Sequence, residues 1–321
     1  MILAKTPLRI CFFGGGSDLP HYYAEKPGFC LSTTIDKYMY VTVCETSVSG
    51  IKAVYNEVEH ADVYSIKHDR IREGLKHFNL HTGLEISSYA QIPTKGTGLG
   101  SSSTFTVGLV NALNKLKGIS VNRRDLAEQA FDIEFNRCKE YLGKQDQYAA
   151  AFGGFNALYF NKDNVKVEPV SISQSELNEL NSNLLMYYTG ITRTASTILK
   201  DYSTDKKYDP LERMVQIGYE ALDSLNSRDF DRFGLFLDET WKEKRLISKG
   251  ISSPELDRKY AYAIDSGALG GKILGAGGGG YFLFYVPKAR QSKFRDRMIE
   301  SGMVEFRFNF SDEGSKIVYA D

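Results

Sequence analysis

The chain has 321 residues, with 40 Lys and Arg set against 40 Asp and Glu, for a formal net charge of zero. That length allows two domains or one large one with an ample core. The balanced charge argues against bulk binding to nucleic acid or another polyanion, so any phosphate binding must come from local geometry. The opening Met-Ile-Leu-Ala-Lys-Thr-Pro lacks the order of a signal peptide, and no apolar run approaches membrane-spanning length. Neither a membrane nor a nucleic acid is expected as a partner, and a cytoplasmic location is. Cys11, Cys30, Cys44 and Cys138 have no C-x-x-C spacing and fit buried, reduced thiols.

In chain order, strand-like runs come first, at 2–13, 31–45, 52–55 and 84–92. The first carries Arg9 in an otherwise apolar run and leads into Gly14-Gly15-Gly16-Ser17-Asp18. Two readings fit this block. Either Arg9 snorkels beside a tight turn capped by Asp18, or the glycines bring backbone close to a ligand whose hydroxyls meet Gly15, Gly16, Ser17 and Asp18. A helix is predicted over 66–78, with Ile71, Leu75 and Phe78 on one face. His77 and His81 near its end have ligand spacing but no evident third ligand, and read as surface residues.

The most informative segment follows, a proline, glycine and serine run from Pro93 to Ser103. It contains Gly96, Gly98, Leu99, Gly100, Ser101, Ser102 and Ser103, and a helix with Phe105, Leu109, Leu113 and Leu116 at three-to-four-residue spacing begins where it stops. A glycine loop feeding a helix start gathers unpaired backbone N–H groups and the positive end of the helix dipole, which together attract phosphate. No Gly-Lys-Ser/Thr follows, so this is not a Walker loop.

A helix over 123–141 carries Glu134 at the edge of its apolar stripe, as a boundary residue reaching solvent or as a carboxylate turned inward that needs a cation such as Mg²⁺. A short helix at 145–152 puts Asp146 in its first turn, after Lys144. Asp146 reads equally as a helix cap or as a carboxylate that orients or deprotonates a hydroxyl. Strands at 155–160 and 165–170 precede the polar stretch 171–183, where the domain boundary is placed: a first lobe of 1–172 and a second of 173–321.

Beyond it come a strand at 184–188, then Arg193 after a turn, and helices between 194 and 266 that include Trp241, a core residue by its spacing. Gly275 to Gly280 matches G-x-G-x-x-G, but a strand follows where a dinucleotide fold needs a helix, so the block reads as a strand–strand loop. A helix at 288–301 and strands at 304–310 and 316–319 finish the chain. Clustered strands with helices to one side indicate an α+β protein of two lobes.

Three glycine-rich blocks in this order, with Glu134 and Asp146 between the second and third, resemble the GHMP kinase superfamily. The resemblance implies a ribosomal-protein-S5-like N-terminal lobe and a ferredoxin-like C-terminal lobe, with ATP and Mg²⁺ between them. It implies that Gly96 and Gly98–Ser103 hold ATP, that Ser102 and Glu134 are Mg²⁺ ligands, and that Asp146 and Arg9 are catalytic. Gly14-Gly15-Gly16-Ser17-Asp18 and Gly143-Lys144-Gln145-Asp146-Gln147 are most similar to the heptose 7-phosphate kinases of that superfamily. Phosphorylation of an anomeric hydroxyl is the implied reaction. Gly15, Gly16, Ser17, Asp18, Gly277 and Gly278 are then expected near the sugar, and Lys144, Arg193 and Lys272 near its phosphate. A kinase of a free sugar such as fucose, a catalytically silent sensor and a homodimer remain open.

Overall fold

The computed structural model describes residues 1–92, 96–191 and 208–321. Two long strands, β1 (Ile2–Phe13) and β2 (Gly28–Glu45), form its spine. Their side chains alternate between faces, as the two-residue period requires. Leu8, Ile10, Phe12, Phe29 and Leu31 enter one core and Cys11 and Cys30 the other. The second core is closed by α3 (Ser101–Leu116), α4 (Arg123–Phe131) and α5 (Gln145–Phe152). The first is closed by α7 (Tyr208–Asn226) and α8 (Phe230–Ile247), the latter burying Trp241 completely. Covered on both sides, residues 28–35 of β2 are buried without a break.

The large sheet runs β13-β1-β2-β5-β3-β4, with β3 at Ile51–Val54, β4 at Val58–Ala61 and β5 at Leu84–Ala90. β6 (Phe155–Phe160) pairs with the first half of β2 and with β7 (Val165–Pro169). A smaller antiparallel sheet has the order β11-β8-β10-β9: Val304–Glu305, Leu184–Tyr188, Tyr281–Tyr285 and Gly270–Ile273. The α+β architecture is as expected, but chain order and lobe order part at the end. β12 (Phe310–Ser311) pairs with β2, and β13 (Lys316–Ala320) pairs with β1. The second lobe placed at 173–321 thus returns its last strands to the first sheet. Phe12 and Phe13 also meet Phe233 edge-on at 5.3 and 5.0 Å, so one core crosses between the lobes.

Two local features position the site. Pro7 pairs with Tyr38 but Arg9 with Thr34, so residues 35–37 stand opposite Leu8. A bulge is the ordinary consequence of a proline that cannot donate to the ladder, and bulges re-aim the side chains beside them. The helix expected over 123–141 leaves α geometry at Phe131, and Asp132–Arg137 form a π turn that turns Glu134 inward. The polar stretch at the expected boundary is a helix, α6 (Gln174–Asn183), begun by a reciprocal Ser173–Glu176 cap.

Candidate active site

The second and third glycine blocks interlock. A Cβ on Gly98 would stand 2.3 Å from the Leu274 carbonyl oxygen, and one on Gly275 would stand 2.5 Å from the Gly98 Cα. Both have φ near +70°, at 77° and 66°, so only glycine serves at either position. Gly100, also left-handed, opens α3 and leaves the first N–H groups of Ser101–Ser103 without intrahelical acceptors. The Leu99 carbonyl accepts the Arg9 backbone N–H at 3.2 Å, which ties this loop to β1.

The Arg9 side chain is 3% exposed and fully engaged at one edge. Its Nε and Nη2 donate to the two carboxylate oxygens of Asp146 at 2.7 and 2.8 Å, and Nη1 donates to the Gly98 carbonyl at 2.6 Å. Burial is the largest single influence and opposes the guanidinium charge, but Asp146, Cys11 and Asp18 together outweigh it and the net shift is upward. A guanidinium has five N–H groups, so two remain for a ligand.

Asp146 stands in the first turn of α5, whose N-terminus is held from elsewhere in the chain. Asp18 accepts from the Gln145 backbone N–H at 3.1 Å, the Gln145 amide at 3.0 Å and the Gly16 N–H at 2.9 Å. Burial first, then the nearby Asp146, raise the Asp18 pKa to about 6 against those hydrogen bonds. Gly143 is required here, since its Cβ would fall 1.9 Å from an Asp18 oxygen.

These parts enclose a cavity of about 160 Å³ lined by Arg9, Gly15, Gly16, Asp18, Gly96, Gly98, Gly100, Ser101–Ser103, Asp146, Lys244, Lys272 and Gly275. A second cavity, of about 710 Å³, shares Ser101 and Ser102 with it and is walled by Tyr55, Asn56, His68, Arg70, Tyr89 and Phe105. The loop therefore separates a small charged chamber from a larger one with aromatic walls.

Not every expected residue is placed where its expected role needs it. The Ser17 hydroxyl is buried and braces the first glycine turn, bonding Gly14 and Phe29 carbonyls at 2.8 and 2.9 Å. Gly277 and Gly278 pack on Ile251, and Gly275 and Ala276 face the cavity instead. Lys144 is turned to Glu128, with both oxygens at 2.7 Å, and lies over the Phe131 ring. Arg193 lies outside the described residues. Lys244, Tyr55 and Tyr89 were not singled out from the sequence. No glycine or serine signal accompanies them, and Lys244 sits in a helix one turn from Trp241.

Glu134 is the largest departure. Its side chain is 0% exposed, and it accepts from Arg70 Nε at 2.8 Å, from Thr106 Oγ1 at 2.8 Å and from the Gln147 amide. Arg70 also donates to Glu140 at 2.5 Å. The expected Mg²⁺ pair of Ser102 and Glu134 does not fit this arrangement: Ser102 is exposed at the rim, while Glu134 is sealed and already faces a cation. Among the described residues, no group of three or more His, Cys, Asp or Glu is arranged to hold a metal ion.

Sequence and structure comparisons show which family the chain resembles. The family model described as the GHMP kinases N terminal domain matches residues 65–154, and that of the GHMP kinases C terminal region matches 221–303. The chain is 33% identical to D-glycero-alpha-D-manno-heptose 7-phosphate kinase of Campylobacter jejuni, over 98% of each protein. It is 25% identical to the L-fucokinase/L-fucose-1-P guanylyltransferase of Bacteroides fragilis, over 93% of this chain but 36% of that protein. A crystal structure of a D-glycero-D-manno-heptose 1-phosphate kinase from Bacteroides thetaiotaomicron superposes with a TM-score of 0.83 over the whole of both chains, at 24% identity. At that identity the likeness is one of fold. No helix among the described residues is long and apolar enough to cross a membrane.

Proposed function

The chain belongs to the GHMP kinases, and from that premise we propose that it transfers the γ-phosphoryl group of ATP to the anomeric hydroxyl of a heptose 7-phosphate, for nucleotide-activated heptose synthesis. The observation that carries the reading is the Asp146 carboxylate, clamped by Arg9 in the wall of a cavity that the glycine–serine loop also lines, with Arg9 bonded to that loop through the Gly98 carbonyl. Phosphoryl transfer needs positioning and charge neutralisation more than covalent help, and this arrangement offers both.

The sugar occupies the smaller cavity, with Gly15, Gly16 and Asp18 along its wall. ATP lies across the loop, its base in the larger cavity between Tyr55, Tyr89 and Phe105 and its phosphates on the N–H groups of Ser101–Ser103. The anomeric oxygen attacks the γ-phosphorus, the bond to the bridging oxygen breaks and ADP leaves. The hydroxyl proton passes to Asp146, or is drawn toward it, since an anomeric hydroxyl is more acidic than an ordinary alcohol. The two uncommitted N–H groups of Arg9 offset charge between donor and acceptor. Mg²⁺ brought with ATP would neutralise phosphate charge, and the exposed Ser102 hydroxyl would be the group of this chain to meet it. The two lobes, divided near residue 172 apart from the returning strands, supply the two sides of the cleft.

The decisive experiment is a coupled ATP-consumption assay over a sugar panel, with the phosphorylated carbon read by NMR. Heptose 7-phosphate phosphorylated at O1 is the expected product. Equal turnover of free heptose or fucose removes the phosphate from the acceptor, and no ATP consumption with any sugar leaves a silent sensor.

A further inference from the structure

The smaller cavity holds more positive charge than the catalytic pair accounts for. Lys244, from α8, and Lys272, from β9, both line it, and each is only 3% exposed. The two come from the second lobe, and Arg9 from the first. Neither ammonium pairs with a carboxylate among the described residues. The Lys272 Nζ donates to the Cys11 and Phe12 carbonyls at 3.1 and 2.6 Å. The Lys244 Nζ donates to the Ile273 carbonyl at 3.3 Å and to that of Gly275. An ammonium has three N–H groups, so each lysine has spent two on backbone dipoles and keeps one.

A buried lysine without a counter-ion is disfavoured in its charged form, and an anion bound beside it restores that charge, so two such lysines at one cavity wall are poised to take an anion. The acids in the neighbourhood do not remove that cost. Asp146 is committed to Arg9, and Asp18 to the N–H groups of Gly16 and Gln145. Cys11 and Cys30 are the acids that act on Lys272. The Cys11 thiol is drawn down to about 7 by its hydrogen bond with Cys30 and, against its burial, by Lys272 and Arg9. One thiol shared between Lys272 and Arg9 does not cover two lysines. Burial pushes both lysines below their ordinary range, and the Lys272 charge pushes Lys244 further.

We infer that Lys244 and Lys272 together form the subsite for a phosphate monoester, and that the monoester is the phosphate already carried by the acceptor sugar. The inference rests on the sugar-phosphate reading given above. The γ-phosphate of ATP has the same chemistry, but the glycine–serine loop already provides for it. The lysines supply the second anion site that an acceptor with its own phosphate requires. Charge-assisted hydrogen bonds to a dianion in a desolvated site also account for a preference over the unphosphorylated sugar.

The test compares wild type with Lys244→Met and Lys272→Met, which keep most of the stem and remove the charge. Each variant is expected to raise KM for heptose 7-phosphate by about ten- to hundred-fold, leaving KM for ATP within about threefold. A raised KM for ATP with an unchanged one for the sugar phosphate would assign the lysines to the nucleotide and overturn the inference. Unchanged constants for both substrates would overturn it too. A readout that needs no variant is the thermal midpoint of the wild-type protein, expected to rise more with heptose 7-phosphate than with equimolar free heptose. Wild type that turns over free heptose as well as the 7-phosphate rejects the proposed substrate itself. Wild type that prefers the 7-phosphate, with variants that keep the same preference, rejects only the lysine subsite.

Discussion

Two of the arginine–carboxylate pairs in the first lobe, Arg9–Asp146 and Arg70–Glu134, differ in where their carboxylates face. Arg9 holds Asp146 through two hydrogen bonds, yet the Asp146 side chain stays 24% exposed at a cavity wall. Arg70 holds Glu134 through one, but Thr106 and Gln147 close the remaining sides and exposure falls to zero. The chemistry of the pairs is the same. The first carboxylate can still meet a substrate proton, whereas the second works on its own protein, joining α2 (Asp69–His77), the π turn, α3 and α5. Gln147, next to Asp146 in sequence, bonds both Glu134 and the Ser103 hydroxyl, so the sealed pair supports the open one from behind.

Asp146→Asn is the substitution expected to separate the two pairs most. The amide keeps the shape and removes the charge, and kcat is expected to fall about 10²–10⁴-fold while ATP still binds. Steady-state kinetics with isothermal titration of ATP separates the two. A near-normal kcat would reduce Asp146 to a partner for Arg9, and the two pairs would then be alike.

What the sequence disclosed follows the same division. Glycines at 98 and 275 were legible because two backbones that touch allow no other residue. Arg9 was legible because a guanidinium in an apolar strand demands a partner, and Asp146 because it opens a short helix of small residues. Glu134 read equally as a boundary residue or an inward carboxylate; the structure turns it inward, toward a cation that the sequence did not name. Arg70 lies 64 residues away on another helix, and nothing in local spacing links them. The π turn that aims Glu134 is equally silent, since its residues continue a helical pattern. The return of β12 and β13 to the first sheet was hidden for a topological reason: strands near the chain end resemble strands of the lobe that precedes them.

Glu134→Gln probes the sealed pair. Loss of one partner from a buried ion pair costs about 3–5 kcal/mol, and the lower end is expected because Arg70 keeps Glu140 and the amide keeps hydrogen bonds. Urea unfolding of the purified variant gives that number. The Mg²⁺ concentration for half-maximal rate is expected to be unchanged, because the carboxylate has no opening toward the phosphates. A raised Mg²⁺ requirement with unchanged stability would place Glu134 on the metal and require Arg70 to swing away when ATP binds.

The smallest effect is expected from Lys144→Ala, and it sharpens the comparison from the side of the cations. Lys144 is next to the helix that carries Asp146, and from sequence it is as plausible a phosphate contact as Lys272. The structure separates them by partner. Lys144 has the Glu128 carboxylate at 2.7 Å, 39% exposed, and the Phe131 ring beneath it, while Lys272 has carbonyl dipoles and a cavity. A half-exposed pair of the first kind contributes about 0.2–1 kcal/mol to stability. It holds no charge in reserve for a ligand, because its cation is already neutralised. Alanine at 144 should therefore lower the thermal midpoint slightly and leave KM for the sugar phosphate where it was. If KM rose as it is expected to in the Lys272→Met variant, Lys144 would have to leave Glu128 in the complex. The rule that a committed cation does not serve the substrate would then fail for this cavity.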